Sequence, residues 1–248
     1  MKFIGIIPAR YASTRFPGKP LAMIHGKTMI RRVWEQASKA GLDNLVVATD
    51  DDRIREHVAS FGGKVVMTSP DHPSGTDRCR EASNHMDPAP GDHDVLINIQ
   101  GDEPYLYPEQ IRELCDLFGD EQVRIATLAK KVEDAETLHD PNRVKVVTDH
   151  AGWALYFSRQ AIPYVKGFPT AEWLGEHTFL KHLGVYAFRY DALKAIAALP
   201  VSSLEKAESL EQLRWLQNGF RIRVGITAYE SAAVDRPEDV KKLQAPGH

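Results

Sequence analysis

Short apolar, β-branched runs alternate along the first hundred residues with segments of helical periodicity, and this alternation constrains the fold more than any other feature. Phe3 to Ile7, Leu45 to Ala48, Val65 to Met67 and Asp94 to Gln100 read as buried strands. Between them Met29, Ile30, Val33, Trp34 and Ala37 recur at helical spacing, with Thr28 as N-cap and Gly41 as stop. Arg53 to Ala59 is a second helix-like run, closed by Gly62-Gly63. Strand, helix and strand in succession predict an α/β fold, with a mainly parallel, Rossmann-like central sheet flanked by helices. A chain of 248 residues that is 43% hydrophobic can bury a sizeable core. We expect one domain over 1–248, with a smaller excursion in its second half.

The first strand is stopped by Pro8, which removes a backbone donor, and a loop with three cations follows. Arg10, Arg15 and Lys19 are interleaved with the hydroxyls of Ser13 and Thr14 and with Gly18, which lets a backbone approach a ligand. The opening 34 residues hold seven Lys or Arg and no carboxylate, whereas the remainder holds 24 against 34. Scattered cations usually mark a solvated surface, but open parallel sheets bind ligands at the carboxyl ends of their strands, which favours an anion pocket. The glycine fingerprint of dinucleotide folds is missing, so an NAD-dependent oxidoreductase is disfavoured. Gly26-Lys27-Thr28 imitates only the tail of a phosphate-binding P-loop, because the preceding glycine position is Leu21.

Net charge is −3 and the isoelectric point is near 6.4, with no broad basic face for nucleic acid. No stretch approaches the roughly 20 apolar residues of a membrane helix, and the amino terminus lacks a signal-peptide layout. A cytoplasmic protein acting on a small molecule is expected. Cys79 and Cys115, far apart in helix-like segments, read as structural thiols.

Three further stretches carry chemistry. Asp50-Asp51-Asp52 invites a metal, yet it precedes a helix that acids would cap, and capping is the favoured reading. The turn-rich loop Thr68 to Arg78 leads into a helix near Thr76. Gly101-Asp102-Glu103-Pro104 follows a buried strand, where Asp102 either holds a divalent cation beside phosphates or caps the helix starting near Pro108.

Pro8-Ala9-Arg10-Tyr11-Ala12-Ser13-Thr14-Arg15-Phe16-Pro17-Gly18-Lys19-Pro20 resembles the signature loop of the 3-deoxy-manno-octulosonate cytidylyltransferases, without a gap. The resemblance extends from Ile4 to Asp239, apart from variable regions near 84–93 and 165–176. It implies a nucleotidyltransferase that joins CTP to an acidic eight-carbon sugar for lipopolysaccharide biosynthesis, working as a homodimer with Mg²⁺. Pro8, Ala9, Arg10, Ser13, Thr14, Arg15 and Lys19 would then bind CTP, with the three cations on its phosphates. Ser74 and Gly75 would meet the cytosine, while Arg78 and Gln100 would meet the sugar. His72 is as readily solvent-facing.

Beyond residue 120, Val123 to Val132, Arg143 to Val147, Trp153 to Phe157 and Arg221 to Val224 are strand-like, and Gly167 to Glu176 looks like an exposed loop. Leu204 to Asn218 reads as one helix. His182 and Tyr186, four apart, would share a strand face and form a structural pair. The resemblance implies instead that Arg159, His182, Tyr186, Glu211 and Gln212 contact the sugar. Asp235 precedes a Pro237-initiated helix that it would cap, whereas the resemblance makes it the partner of Asp102 at the metal. Arg10, Arg15, Lys19, Asp102 and Asp235 form the expected catalytic set. Within the same chemistry, an 8-amino analogue of the sugar or a sialic acid is the alternative acceptor, and a silent CTP-binding regulator is the alternative from another class.

Overall fold

The structure, a computed structural model, describes residues 1–13, 15–72 and 74–243. In chain order the strands are β1 (Phe3–Ala9), β2 (Met23–Ile24), β3 (Lys27–Thr28), β4 (Asn44–Thr49), β5 (Val65–Met67), β6 (Val95–Asn98), β7 (Ile125–Lys131), β8 (Lys145–Thr148), β9 (Ala154–Ser158), β10 (Leu180–Arg189) and β11 (Arg223–Ile226). The helices are α1 (Met29–Ala37), α2 (Asp52–Ser60), α3 (Gly75–Asn84), α4 (Pro108–Asp116), α5 (Ala135–His139), α6 (Trp173–Glu176), α7 (Tyr190–Ala197), α8 (Ser203–Glu208), α9 (Gln212–Gln217) and α10 (Pro237–Leu243). The chain is mixed α/β with a mostly parallel central sheet, as its alternating pattern predicts. Its internal contacts divide it into two compact units.

The first unit comprises Met1–Arg112, Phe188–Ala197 and the stretch from Ser231 onward. Its strands run in the order β6-β1-β4-β5, all parallel, with Ile6 opposite Val46 on one side and Asn98 on the other. Ile6, Ile7 and Val47 have no exposed surface. Burying each such side chain contributes roughly 1.5–3 kcal/mol, which is why these strands read as continuous apolar runs. Gly26 lies at the tip of the β2–β3 hairpin with φ 76°, so Gly26-Lys27-Thr28 builds a turn and no P-loop. Asp51 caps α2 by accepting from the Arg53 amide at 2.9 Å, which settles the aspartate run as a helix start. Cys79 and Cys115 lie on α3 and α4, outside any disulfide.

The second unit comprises Glu113–Ala187 and Ala198–Glu230. Here β11 pairs in parallel with β7, β7 neighbours β10, and β8 pairs antiparallel with both β10 and β9. Two expectations are corrected in it. Gly167 to Glu176 is no plain exposed loop, because Trp173 opens α6 and packs with Val132, Leu138 and Phe179 in a small core. The single helix expected over Leu204 to Asn218 is broken into α8 and α9 at Ser209, whose φ of 51° leaves the helical region.

Candidate functional site

The opening loop is organised by the carbonyl of Tyr11, which accepts from the amides of Ser13 and Gly18, each at 2.9 Å. The Ser13 hydroxyl adds a bond from the Phe16 amide at 3.4 Å. Gly18 has φ 70° and a Cβ there would come within 3.1 Å of the Tyr11 ring, so the turn requires glycine on two counts. The other end of the loop is fastened by Arg53, whose guanidinium lies 3.4 Å from the Tyr11 ring centroid and is itself paired with Asp51.

This loop delivers its cations to the carboxyl end of β6. Lys19 Nζ donates to Asp102 Oδ2 at 2.8 Å and to the Val234 carbonyl at 2.9 Å. The Val234 amide donates in turn to the Asp102 carbonyl at 2.8 Å, and Arg15 Nη2 lies 3.3 Å from Asp235 Oδ1. Lys19, Asp102, Arg15 and Asp235 are therefore gathered from three distant parts of the sequence. Gly101 makes this possible, because a Cβ there would sit 2.6 Å from the Pro8 carbonyl, closer than any side chain allows. The segment after β6 lies directly against the end of β1, where parallel sheets place their ligands.

Two depressions open on this end and share Pro8, Ala9 and Arg10. One continues over Ser13, Arg15, Lys19, Gln100, Gly101 and Asp102. The other continues over His72, Ser74, Gly75 and Arg78. Thr14, expected beside Ser13, lies outside the described residues. Ser74 caps α3, accepting from the Asp77 amide at 3.1 Å and donating to Asp77 Oδ2 at 2.7 Å. Arg78, on the first turn of α3, is buried, donates to Thr68 Oγ1 at 2.6 Å and lies 3.6 Å from Asp50 Oδ1. Asp50 stands out in the sequence only as part of the aspartate run, and its pairing with Arg78 appears only when α3 packs beside β4. His72, with no assigned site by sequence, lines the second depression.

Asp102 and Asp235 are the oxygen donors a hard cation would take, and their side chains keep 28% and 50% exposure. Among the described residues no group of three His, Cys, Asp or Glu side chains forms a metal cage. Two carboxylates beside a cation-lined depression nevertheless fit Mg²⁺, which completes its shell with water and phosphate oxygens.

In the second unit, His182 and Tyr186 do share a face of β10, with ring centroids 5.2 Å apart. Phe157 stands edge-on to His182 at 5.0 Å and Trp215 to Tyr186 at 5.1 Å. His182 keeps partial exposure as a residue, but its ring is enclosed by these neighbours and by Thr127 Oγ1 at 3.0 Å from Nε2. Burial pushes the imidazole down to about 3. It pushes the Tyr186 phenol well up, with the Glu211 carboxylate adding to the rise. Gln212, the next residue, is buried at the start of α9. Arg159 has its guanidinium on three backbone carbonyls, those of Glu208 at 2.6 Å, Pro141 at 3.0 Å and Ser209 at 3.3 Å. Lys145, fully buried, donates to the Asp140 and Arg159 carbonyls.

The family model described as Cytidylyltransferase matches residues 4–222. The chain belongs to the cytidylyltransferase family. The resemblance read from the opening loop is thereby borne out, and the chain is a nucleotidyltransferase. This cytidylyltransferase is 56% identical to the 3-deoxy-manno-octulosonate cytidylyltransferase of Parabacteroides distasonis, over 99% of this chain and 98% of that one. It is 49% identical to the 8-amino-3,8-dideoxy-manno-octulosonate cytidylyltransferase of Shewanella baltica, over 96% of both. Among solved structures, a CMP:2-keto-3-deoxy-manno-octonic acid synthetase complexed with CTP superimposes with a TM-score of 0.90 at 42% identity, covering 98% of this chain and 97% of that one.

Proposed function

We propose that this cytidylyltransferase activates 3-deoxy-D-manno-octulosonate with CTP, giving the CMP-sugar and pyrophosphate. One observation carries the reading. Arg10, Arg15 and Lys19 line a single depression with Asp102, at the carboxyl ends of β1 and β6, and Asp235 is bound to one of those cations. Cations fixed by a rigid strand end match the charge of a triphosphate, and near-full-length likeness to enzymes named for this sugar supplies the acceptor.

The anomeric hydroxyl attacks the α-phosphorus in line, the new phosphorus–oxygen bond forms as the hydroxyl gives up its proton, and the bond to the bridging oxygen breaks to release pyrophosphate. Such transfers depend on positioning and charge neutralisation more than on covalent help from the protein. Arg10, Arg15 and Lys19 hold the phosphate oxygens, and Ser13 adds a hydroxyl donor. Ser74 and Gly75 receive the base at the start of α3. Gln100 and Arg78 are read as the sugar contacts of the first unit. Asp102 and Asp235 would hold Mg²⁺, which when bound would supply charge neutralisation at the phosphates and help orient the attacking hydroxyl. The chain's own part is to fix those carboxylates, which Lys19 and Arg15 do.

The enzyme is read as a homodimer of the cytoplasm, serving lipopolysaccharide assembly. No helix among the described residues is long and apolar enough to cross a membrane, which is compatible with that setting. The relative from Shewanella baltica keeps the 8-amino analogue as second reading. Pyrophosphate release with CTP and Mg²⁺ tests both, comparing the octulosonate, its 8-amino analogue and a sialic acid, with ATP, GTP and UTP as controls. Release confined to CTP and the octulosonate is expected. CTP binding without release for any acceptor would make the chain a silent regulator.

A further inference from the structure

We propose that His72, held in place by Glu81, contacts the nucleoside half of CTP. The proposal rests on the CTP reading above and adds to it a residue pair that lies outside the phosphate loop. His72 lines the depression formed with Pro8, Ala9, Ser74, Gly75 and Arg78, and its side chain is only 18% exposed. Its Nε2 bonds to Glu81 Oε2. That same oxygen accepts from the Ser69 amide at 2.9 Å. Glu81 sits on α3, so the imidazole of a loop residue is anchored to a rigid helix.

Burial works against ionisation of Glu81, but the bonds from His72 and Ser69 outweigh it and keep the carboxyl below its usual range. An ionised carboxylate at Nε2 fixes the ring orientation and keeps the proton on that nitrogen. Nδ1 is then the nitrogen left for a ligand.

The two depressions differ in the chemistry they offer. The one over Arg15, Lys19 and Asp102 is strongly charged and suits phosphates. The one lined by His72 has a cation shared with the first in Arg10, and Arg78, whose guanidinium is engaged with Thr68 and Asp50. What remains on its wall is the Gly75 backbone and the imidazole, since the Ser74 hydroxyl is engaged with Asp77. These are hydrogen-bonding groups suited to the uncharged polar edge of a base or a ribose. A plain loop staple made by Glu81 on residues 69 to 72 is the competing explanation, and it makes a different prediction.

The test is calorimetric binding of CTP and of inorganic triphosphate, each with Mg²⁺, to the wild-type enzyme and to His72→Ala, Glu81→Ala and Glu81→Gln. Loss of one hydrogen bond to the ligand predicts that His72→Ala weakens CTP about tenfold and leaves inorganic triphosphate unchanged. Glu81→Ala, which frees the ring, should weaken CTP by about threefold to tenfold, and Glu81→Gln, whose amide oxygen still accepts from Nε2, should stay within about twofold of wild type. Wild-type CTP affinity in His72→Ala would overturn the proposal alone, as would an equal loss of CTP and inorganic triphosphate in that variant, which marks a staple. Wild-type enzyme that binds inorganic triphosphate as tightly as CTP would overturn the CTP reading and this proposal with it.

Discussion

Lys19 Nζ is 2.8 Å from Asp102 Oδ2, a contact that ties the last cation of the opening loop to the first acid after β6. The same ammonium reaches the Val234 carbonyl at 2.9 Å, one residue before Asp235. One side chain thus ties the Asp102 carboxylate to the backbone just before Asp235. Replacing Lys19 by Met removes a preorganised positive charge from the phosphate site, and turnover should fall about 10²-fold to 10³-fold. Steady-state kinetics with CTP check this, and a variant within threefold of wild type would remove Lys19 from the catalytic set.

Asp235 separates activity from stability. Its pair with Arg15 spans side chains that are 50% and 63% exposed, so its loss should shift the melting temperature by little. Asp235→Ala is expected to lose turnover and to show a raised Mg²⁺ requirement, with the melting temperature nearly unchanged. A Mg²⁺ titration of the rate together with thermal unfolding reads both. Near wild-type turnover at the same Mg²⁺ concentration would refute the metal role.

Gly101 tests the close approach of the two strand ends. A methyl group at this position would sit 2.6 Å from the Pro8 carbonyl oxygen, a backbone atom that cannot rotate away. Gly101→Ala should cost about 1–3 kcal/mol of stability by overpacking, and should weaken CTP binding by moving Asp102 from Lys19. Urea denaturation and CTP titration are the measurements. An unchanged midpoint would show that the contact relaxes freely.

The depressed imidazole of His182 gives a pH dependence with a definite sign. Its folded value of about 3 lies below the ordinary 6.5, so the unfolded chain binds the proton more readily. The contribution to stability is complete above about 6.5 and is lost as pH falls toward 3, amounting to roughly 2 kcal/mol by pH 5. Denaturation midpoints between pH 7.5 and 5 should fall more steeply for wild type than for His182→Gln. Parallel slopes would mean that the ring is protonated without penalty in the native state.

How much of this was legible in the sequence varied with range. The cationic loop could be read because Arg10, Arg15 and Lys19 are close neighbours bounded by Pro8 and Pro20, and Asp51 could be read as a cap because capping is local. Pairing of Arg78 with Asp50 was illegible, since it depends on α3 packing beside β4. Trp173 sits in a stretch rich in Gly and Pro, and only its packing with Phe179, at an interplanar angle of 9°, takes it into a core. Ser209 bears no mark of its left-handed backbone, so the break between α8 and α9 could not be seen. His72 was ambiguous for the same reason as Arg78, because the carboxylate that orients it comes from another element.

Phosphorus-31 NMR of the enzyme with CTP, Mg²⁺ and 3-deoxy-manno-octulosonate follows the fate of all three phosphates at once. Nucleotidyl transfer requires the CTP resonances to be replaced by those of pyrophosphate and of one phosphodiester, in equal amounts and only when the sugar is present. Persistence of the CTP resonances with active-site-folded enzyme, or release of inorganic phosphate in place of pyrophosphate, would contradict it.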